Sequence, residues 1–194
     1  MKKPFSSKKE QLLDLETAKQ KVLRVLFQSP EKEFSLSDLA KEAKVKKSNI
    51  GRILEKLKEI EFIEIISLKN IWRIKANQRN WYFMKSKIIH NLNLVYLSGL
   101  VEFLNEHFKN PKAIILFGSF RNGDDISNSD IDIAIETDEI QDYQIIGLRE
   151  LTDFEEEIGR KIQIHLFNRK NIDLNVFNNI ANGIVLLGFL EVKP

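Results

Sequence analysis

The stretch that most constrains the fold is residues 113–135, AIILFGSFRNGDDISNSDIDIAI. Ala113 to Phe117 is an unbroken apolar run, the pattern of a strand covered on both faces. Gly118 lets the backbone approach a neighbour closely. Ser119 offers a hydroxyl where a helix would begin, and free N–H groups at such a start favour an anion such as phosphate. Arg121 through Ser129 has the composition of a loop. DIDIAI then alternates, so Ile131, Ile133 and Ile135 share one face while Asp130, Asp132 and Ala134 share the other. Two carboxylates at i and i+2 on a strand point the same way, about 6.5–7 Å apart along the backbone. Left unpaired beside a core they would repel and lose hydration, at a cost of several kcal/mol, so a divalent cation is the natural compensating partner. Magnesium suits such a pair, because it takes hard oxygen ligands and often bridges one or two carboxylates to a nucleotide's phosphates.

At 194 residues the chain can hold one medium domain or two small ones. It has no cysteine, which excludes disulfides and thiolate metal sites. No apolar run reaches the ~18 residues of a membrane span, and MKKPFSSKKEQ has no apolar core after its basic residues. The expectation is a cytoplasmic protein with no membrane partner. A net charge of +2 hides an asymmetry: residues 1–80 carry 19 Lys and Arg against 11 Asp and Glu, while residues 81–194 carry 11 against 17. The first part is built to face a polyanion, the second to hold cations or acidic chemistry.

In the basic part, Ala18, Val22, Val25 and Leu26 have helical spacing that stops at Ser29-Pro30. EFSLSDLAKEAKV predicts a second helix, with Ser35 as cap and Asp38 three residues on. In KKSNIGRILEKLKEI, Ser48 or a neighbour caps a third helix. Ile50, Ile53, Leu54, Leu57 and Ile60 point inward there, leaving Asn49, Arg52 and Lys56 outward with Lys46 and Lys47 just before. FIEII and IWRIK predict two strands around a turn at Ser67-Leu68-Lys69-Asn70. Three helices and a basic hairpin over residues 12–76 resemble the winged helix-turn-helix family. The resemblance implies a third helix in the major groove of double-stranded DNA, with Ser48, Asn49 and Arg52 at base edges and Lys46, Lys47 and Lys56 at phosphates. Lys69 and Arg73 would lie on the wing.

From Trp81 to Phe108 an approximately helical period continues to Asn110-Pro111, as one long helix or two, with Trp81, Tyr82 and Phe83 expected as packing residues and His90 and His107 as structural. The boundaries are therefore a winged helix over 1–80, a connecting helix over 81–110 and a second domain over 111–194. In that domain Tyr143–Ile158 is expected as a helix ending at Gly159, Lys161–Phe167 as a strand, Asn171–Asn182 as a helix stopped by Gly183, and Ile184–Leu190 as a last strand. Asp124, Asp125 and Glu136 are expected as surface acids and Arg160-Lys161 as a solvated turn. The fold class is α+β, a winged helix followed by a mixed sheet flanked by helices.

Gly118-Ser119-Phe120-Arg121-Asn122-Gly123 followed by Ser129-Asp130-Ile131-Asp132 resembles the signature of the DNA polymerase beta superfamily, and the short chain around it resembles the minimal nucleotidyltransferases. A winged helix ahead of such a domain is similar to nucleotidyltransferase-like proteins of archaea. The resemblance implies that Gly118 and Ser119 hold a nucleoside triphosphate, and that Asp130 and Asp132 bind one or two magnesium ions and carry the catalysis. A cognate toxin protein is one partner it admits, and a homodimer is compatible with it. The family pattern has a third carboxylate on a later strand, and here Gln163 stands in that position. An amide ligates a metal poorly and cannot take a proton; His165, on the same face, could. The leading expectation is a transferase with an unidentified acceptor, and the alternative is a nucleotide-binding transcriptional regulator with little or no turnover.

Overall fold

The computed structural model describes residues 16–68 and 71–192, in two compact units, Met1–His90 and Asn91–Pro194. The N-terminal unit is a winged helix. α1, Ala18–Gln28, starts at a reciprocal cap: Thr17 accepts from the Gln20 backbone N–H, and the Gln20 side chain accepts from that of Thr17. α2, Leu36–Glu42, starts at Ser35, whose hydroxyl oxygen accepts from the Asp38 N–H at 3.1 Å. α3, Lys47–Glu59, has Lys46 at its cap position and no side-chain cap bond, so Ser48 lies inside the first turn and is not the cap. β1, Ile63–Leu68, and β2, Ile71–Ala76, pair antiparallel with Leu68 opposite Ile71, so Ser67 and Leu68 belong to the strand and not to the turn. Lys69 and Asn70, the expected tip of the wing, lie outside the described residues. Phe34 bridges to Ile74 beside the hairpin.

Val22, Leu26, Leu39, Ile50, Leu54, Leu57, Ile74 and Phe83 form this unit's core, where Phe83 packs against Phe27 and Phe62. Ile60, expected inward, is 48% exposed because it follows the last turn of α3.

α4, Trp81–Leu97, and α5, Leu100–His107, are separated at Gly99, whose φ of +77° ends the run. The divide between the units falls inside α4, between His90 and Asn91. Residues 81–110 thus belong partly to one core, through Phe83, and partly to the other, through Val95, Leu100, Val101 and Leu104. Trp81 and Tyr82, expected as packing residues, are more than 60% exposed and stack edge-on against one another.

The C-terminal unit is built on a five-stranded sheet in the order β5-β6-β4-β3-β7. β3 is Ala113–Phe117, β4 Ile131–Glu136, β5 Gln144–Ile146, β6 Ile162–Phe167 and β7 Ile184–Gly188. β4 and β6 run parallel; the other pairs are antiparallel. A one-turn helix α6, Gly118–Asn122, follows β3; α7, Thr152–Ile158, precedes β6; α8, Leu174–Ala181, precedes β7. One sheet face packs Ile114, Ile133, Ile135 and Ile164 against Leu100, Leu104, Leu151 and Ile158, and the other packs Ala113, Ile115, Ala134 and Phe167 against Ile180. Coverage on both faces explains the unbroken apolar run of β3.

The segment expected as one helix over Tyr143–Ile158 is instead β5, a 3₁₀ turn over Arg149–Leu151 and α7. α8 is capped by Asp173, which accepts from the N–H groups of Asn175 and Val176. Its C-cap is Asn182, not Gly183, where a Cβ would come within 2.6 Å of Ile115 and of the Leu116 carbonyl, so Gly183 serves close approach. No helix among the described residues is long and apolar enough to cross a membrane.

Candidate functional site

β3 ends at Phe117, and the chain turns on Gly118 at a φ of +72°, in the left-handed region that costs other residues about 1–2 kcal/mol. A side chain there is also barred by space, since a Cβ on Gly118 would lie 2.3 Å from Asp132 Oδ2. Ser119 follows in the first turn of α6, and Gly123, φ +81°, returns the chain to the loop leading to β4.

That loop is anchored inside the unit. Asp125, expected as a surface acid, is 1% exposed: its Oδ1 accepts from Asn91 Nδ2 at 2.8 Å, and Arg160 Nη2 lies 3.7 Å from Oδ2. The same Asn91 amide donates to the Phe120 carbonyl. Arg160 is accordingly buried and not in a solvated turn. A second buried acid sits at the other end of β4, where Glu136 accepts from Arg169 at 2.9 and 2.7 Å, and Arg169 also reaches Glu191 at 2.8 Å. The paired carboxylates, Glu136 above all, raise the guanidinium's pKa further.

Asp130 and Asp132, both half-buried, flank Ile131 at the start of β4, and Asp132 lies on the side that Gly118 faces. The parallel register sets Gln163 of β6 opposite Asp132, and Ala134 opposite His165. From there Gln163 Nε2 reaches across to donate to Asp130 Oδ2 at 2.5 Å. His165 is 6% exposed, with Nε2 3.2 Å from Asp132 Oδ1, Nδ1 against the Tyr143 hydroxyl, and its ring edge-on to Phe117 at 4.8 Å. A carboxylate accepts, so Nε2 carries hydrogen toward Asp132, and in the tautomer this requires Nδ1 accepts from Tyr143. His165 therefore faces the acids as a donor, and the lone pair that could take a proton points to Tyr143. Burial, reinforced by the Asp132 charge, raises the Tyr143 pKa and keeps its hydroxyl protonated. Sequence reasoning missed Tyr143, which lies just before β5 in the stretch expected as helix.

Each carboxylate thus has a protein donor already: Asp130 the Gln163 amide, Asp132 the His165 ring. Among the described residues no group of three or more His, Cys, Asp or Glu is arranged to hold a metal ion. Beside Asp130 a cleft of about 470 Å³ is lined by Ser127, Ser129, Thr152, Glu155, Arg160 and Lys161 among others. Glu155 Oε2 accepts from Lys161 at 2.7 Å and Oε1 from the Ile162 N–H at 3.0 Å.

With this geometry in view, the comparisons with known proteins place the sheet. Residues 99–188 match the family model for polymerase beta nucleotidyltransferases. The match runs from Gly99, where α4 gives way to α5, through the end of β7, and includes Gly118, Ser119, Asp130, Asp132 and Gln163. Over this stretch the C-terminal unit resembles the polymerase beta nucleotidyltransferases. No curated protein matches the chain. Among solved structures, the crystal structure of MepR, a transcription regulator of the Staphylococcus aureus multidrug efflux pump MepA, aligns over 53% of this chain and 78% of its own. Identity is 17% and the TM-score 0.35, a likeness too slight to carry an argument.

In the N-terminal unit, Lys46, Lys47, Ser48, Asn49, Arg52 and Lys56 are all exposed on α3 or at its start. Ser48, Asn49, Arg52 and Lys56 line one cleft of about 310 Å³, together with Ile53 of the same helix and Lys19 of α1. Sequence reasoning missed Lys19, because nothing in its spacing tells that α1 turns it toward α3. Arg73, expected on the wing, is ion-paired with Glu33 at 2.5 Å.

Proposed function

We propose that this is a DNA-binding protein whose nucleotidyltransferase-like domain binds a nucleoside triphosphate with magnesium and transfers a nucleotidyl group to an acceptor hydroxyl. The observation that carries the reading is the close approach of Gly118 and Asp132 where β3 ends and β4 begins, with Asp130 two residues before, within a segment that matches the polymerase beta nucleotidyltransferases. The donor set fits one magnesium ion arriving with a nucleotide: two half-buried carboxylates supply hard oxygens, and phosphates and water complete the shell. It does not supply a third acid. Bound magnesium would offset the charge of the phosphates and of the leaving pyrophosphate.

The chain's own part is to position. Gly118 lets Asp132 stand close under the turn, His165 fixes the orientation of the Asp132 carboxylate, and Ser119 supplies a hydroxyl toward phosphate oxygens. In the transfer, the acceptor oxygen attacks the α-phosphorus, the bond to the bridging oxygen breaks, pyrophosphate leaves, and the hydroxyl proton passes to solvent or to Asp130. The acceptor is a hydroxyl of a nucleic acid, a small molecule or a partner protein such as a cognate toxin.

The hydrogen bond from Gln163 to Asp130 favours a second reading, a regulator that binds nucleotide without turnover. An amide at that position holds Asp130 in place without a metal and offers no base. On either reading α3 enters the major groove, with Ser48, Asn49 and Arg52 at base edges and Lys46, Lys47 and Lys56 at phosphates. Measuring magnesium–ATP binding by calorimetry alongside pyrophosphate release over a panel of acceptors separates the two. Binding with release supports the transferase, binding without release the regulator, and no binding removes both.

A further inference from the structure

The cleft between α1 and α3 has a composition that the helix-turn-helix reading does not require. Its six lining residues are Lys19, Ser48, Asn49, Arg52, Ile53 and Lys56: three cations, two neutral hydrogen-bonding side chains, one aliphatic floor and no carboxylate. Lys19 comes from a helix other than the one expected to enter the groove, and it is exposed. A convex helix surface reads base edges; a concave pocket walled by lysines from two helices suits a tetrahedral anion. The unit's other exposed cations include some already committed to carboxylates, Lys32 to Glu42 and Arg73 to Glu33.

We propose that this cleft seats one phosphate of the DNA backbone, gripped between Lys19 of α1 and Lys56 of α3, so that α1 is part of the DNA-binding surface. The proposal rests on the DNA-binding reading and adds to it a residue and a fixed register: the seated phosphate sets how deep α3 lies, while Asn49 and Arg52 on the same wall face the bases. Seating releases a counterion, so each phosphate held contributes about 0.9 to the slope of log K against log salt.

The test measures fluorescence anisotropy of the full chain on a labelled duplex of mixed sequence across a series of KCl concentrations. Lys19→Ala is expected to lower the slope by about one and to weaken binding several-fold, Lys19→Arg to retain the slope, and Lys58→Ala, which removes the same charge from α3 outside the cleft, to change the slope by much less. A Lys19→Ala slope equal to that of Lys58→Ala, with wild-type binding steep in salt, overturns the cleft assignment and leaves DNA binding standing. Absence of any wild-type complex at low salt overturns DNA binding itself. Inorganic phosphate, titrated at constant ionic strength, is expected not to displace the duplex at millimolar concentration. Displacement that is lost in Lys19→Ala would identify the cleft as a site for free phosphate and sink the backbone assignment.

Discussion

Replacing Gly118 by alanine probes whether the turn after β3 and the Asp132 carboxylate form one device. The new Cβ meets two obstacles. The backbone stands at a φ of +72°, which costs an L-residue about 1–2 kcal/mol. The Cβ would also lie 2.3 Å from Asp132 Oδ2, so the carboxylate must swing away and loosen its bond to His165. Hydrogen bonds to charged groups are worth about 1.5–3 kcal/mol net, and with the Asp132 side chain one-quarter exposed the smaller end applies, so the sum is about 2.5–3.5 kcal/mol. Each kcal/mol lowers the melting temperature of a domain of this size by roughly 4–8 °C. Gly147→Ala, where nothing lies within 4 Å and φ is not positive, is the control and is expected to change stability by less than about 0.5 kcal/mol. Calorimetry on the same samples, with ATP in the presence and absence of magnesium, reads the second consequence: Gly118→Ala should lose the magnesium-dependent part of binding because a metal ligand has moved. A variant that melts with the wild type and keeps its magnesium dependence would refute the coupling.

Gln163→Asp is expected to raise pyrophosphate release by about 10²–10⁴-fold if the acceptor pocket is intact, the range that general-base help supplies; a flat response in an assay that detects binding favours the regulator. Arg169→Ala leaves Glu136 as a buried acid without its bidentate partner and should cost up to about 3–5 kcal/mol in urea denaturation, less to the extent that water reaches the vacated site. Arg52→Ala should weaken binding to a selected sequence more than to random duplex, whereas Lys47→Ala should weaken both alike, as read by gel retardation. Burial works against ionising Glu155, but its bonds from Lys161 and the Ile162 N–H outweigh it and hold the carboxyl below the usual range. Its contribution to stability is present above the ordinary glutamate value of about 4.3 and is lost as pH falls below it. The urea midpoint of Glu155→Gln should therefore fall less steeply than that of the wild type in acid.

What was legible in the sequence was what short spacing determines. Ser35 with Asp38 caps its helix within one turn, and β3 and β4 announce themselves by an apolar run and an alternation. That Gln163 would stand beside Asp130 and Asp132 was implied by the resemblance alone, and the register of β6 on β4 brings the three together. The misreadings share a cause: partners distant in the chain. Asp125 is polar in a polar loop, and only the fold brings Asn91 and Arg160 to it. Glu136 becomes a buried acid because Arg169 arrives from beyond β6. β5 is three residues long, too short for a period to show, and it hid Tyr143 in an apparent helix. That Gln163 reaches Asp130 and not its register neighbour Asp132 is a matter of side-chain direction, which no spacing encodes.

The pairing of β3 with β7 has a consequence for how the protein is made. The described helices and strands of the winged helix, and Phe83 that completes its core, all precede Asn91, so that unit can close its core while the ribosome is still adding later residues. β3 has no such freedom: Ala113 pairs with Gly188 and Ile114 with Leu187, so one edge of the strand bearing the Gly118 turn stays open until the seventh strand has been synthesised. During that interval Ile114 and Leu116 form an exposed apolar edge of the kind that recruits chaperones or neighbouring chains. Nascent chains arrested before Ile184 are therefore expected to bind DNA while remaining protease-sensitive from β3 onward.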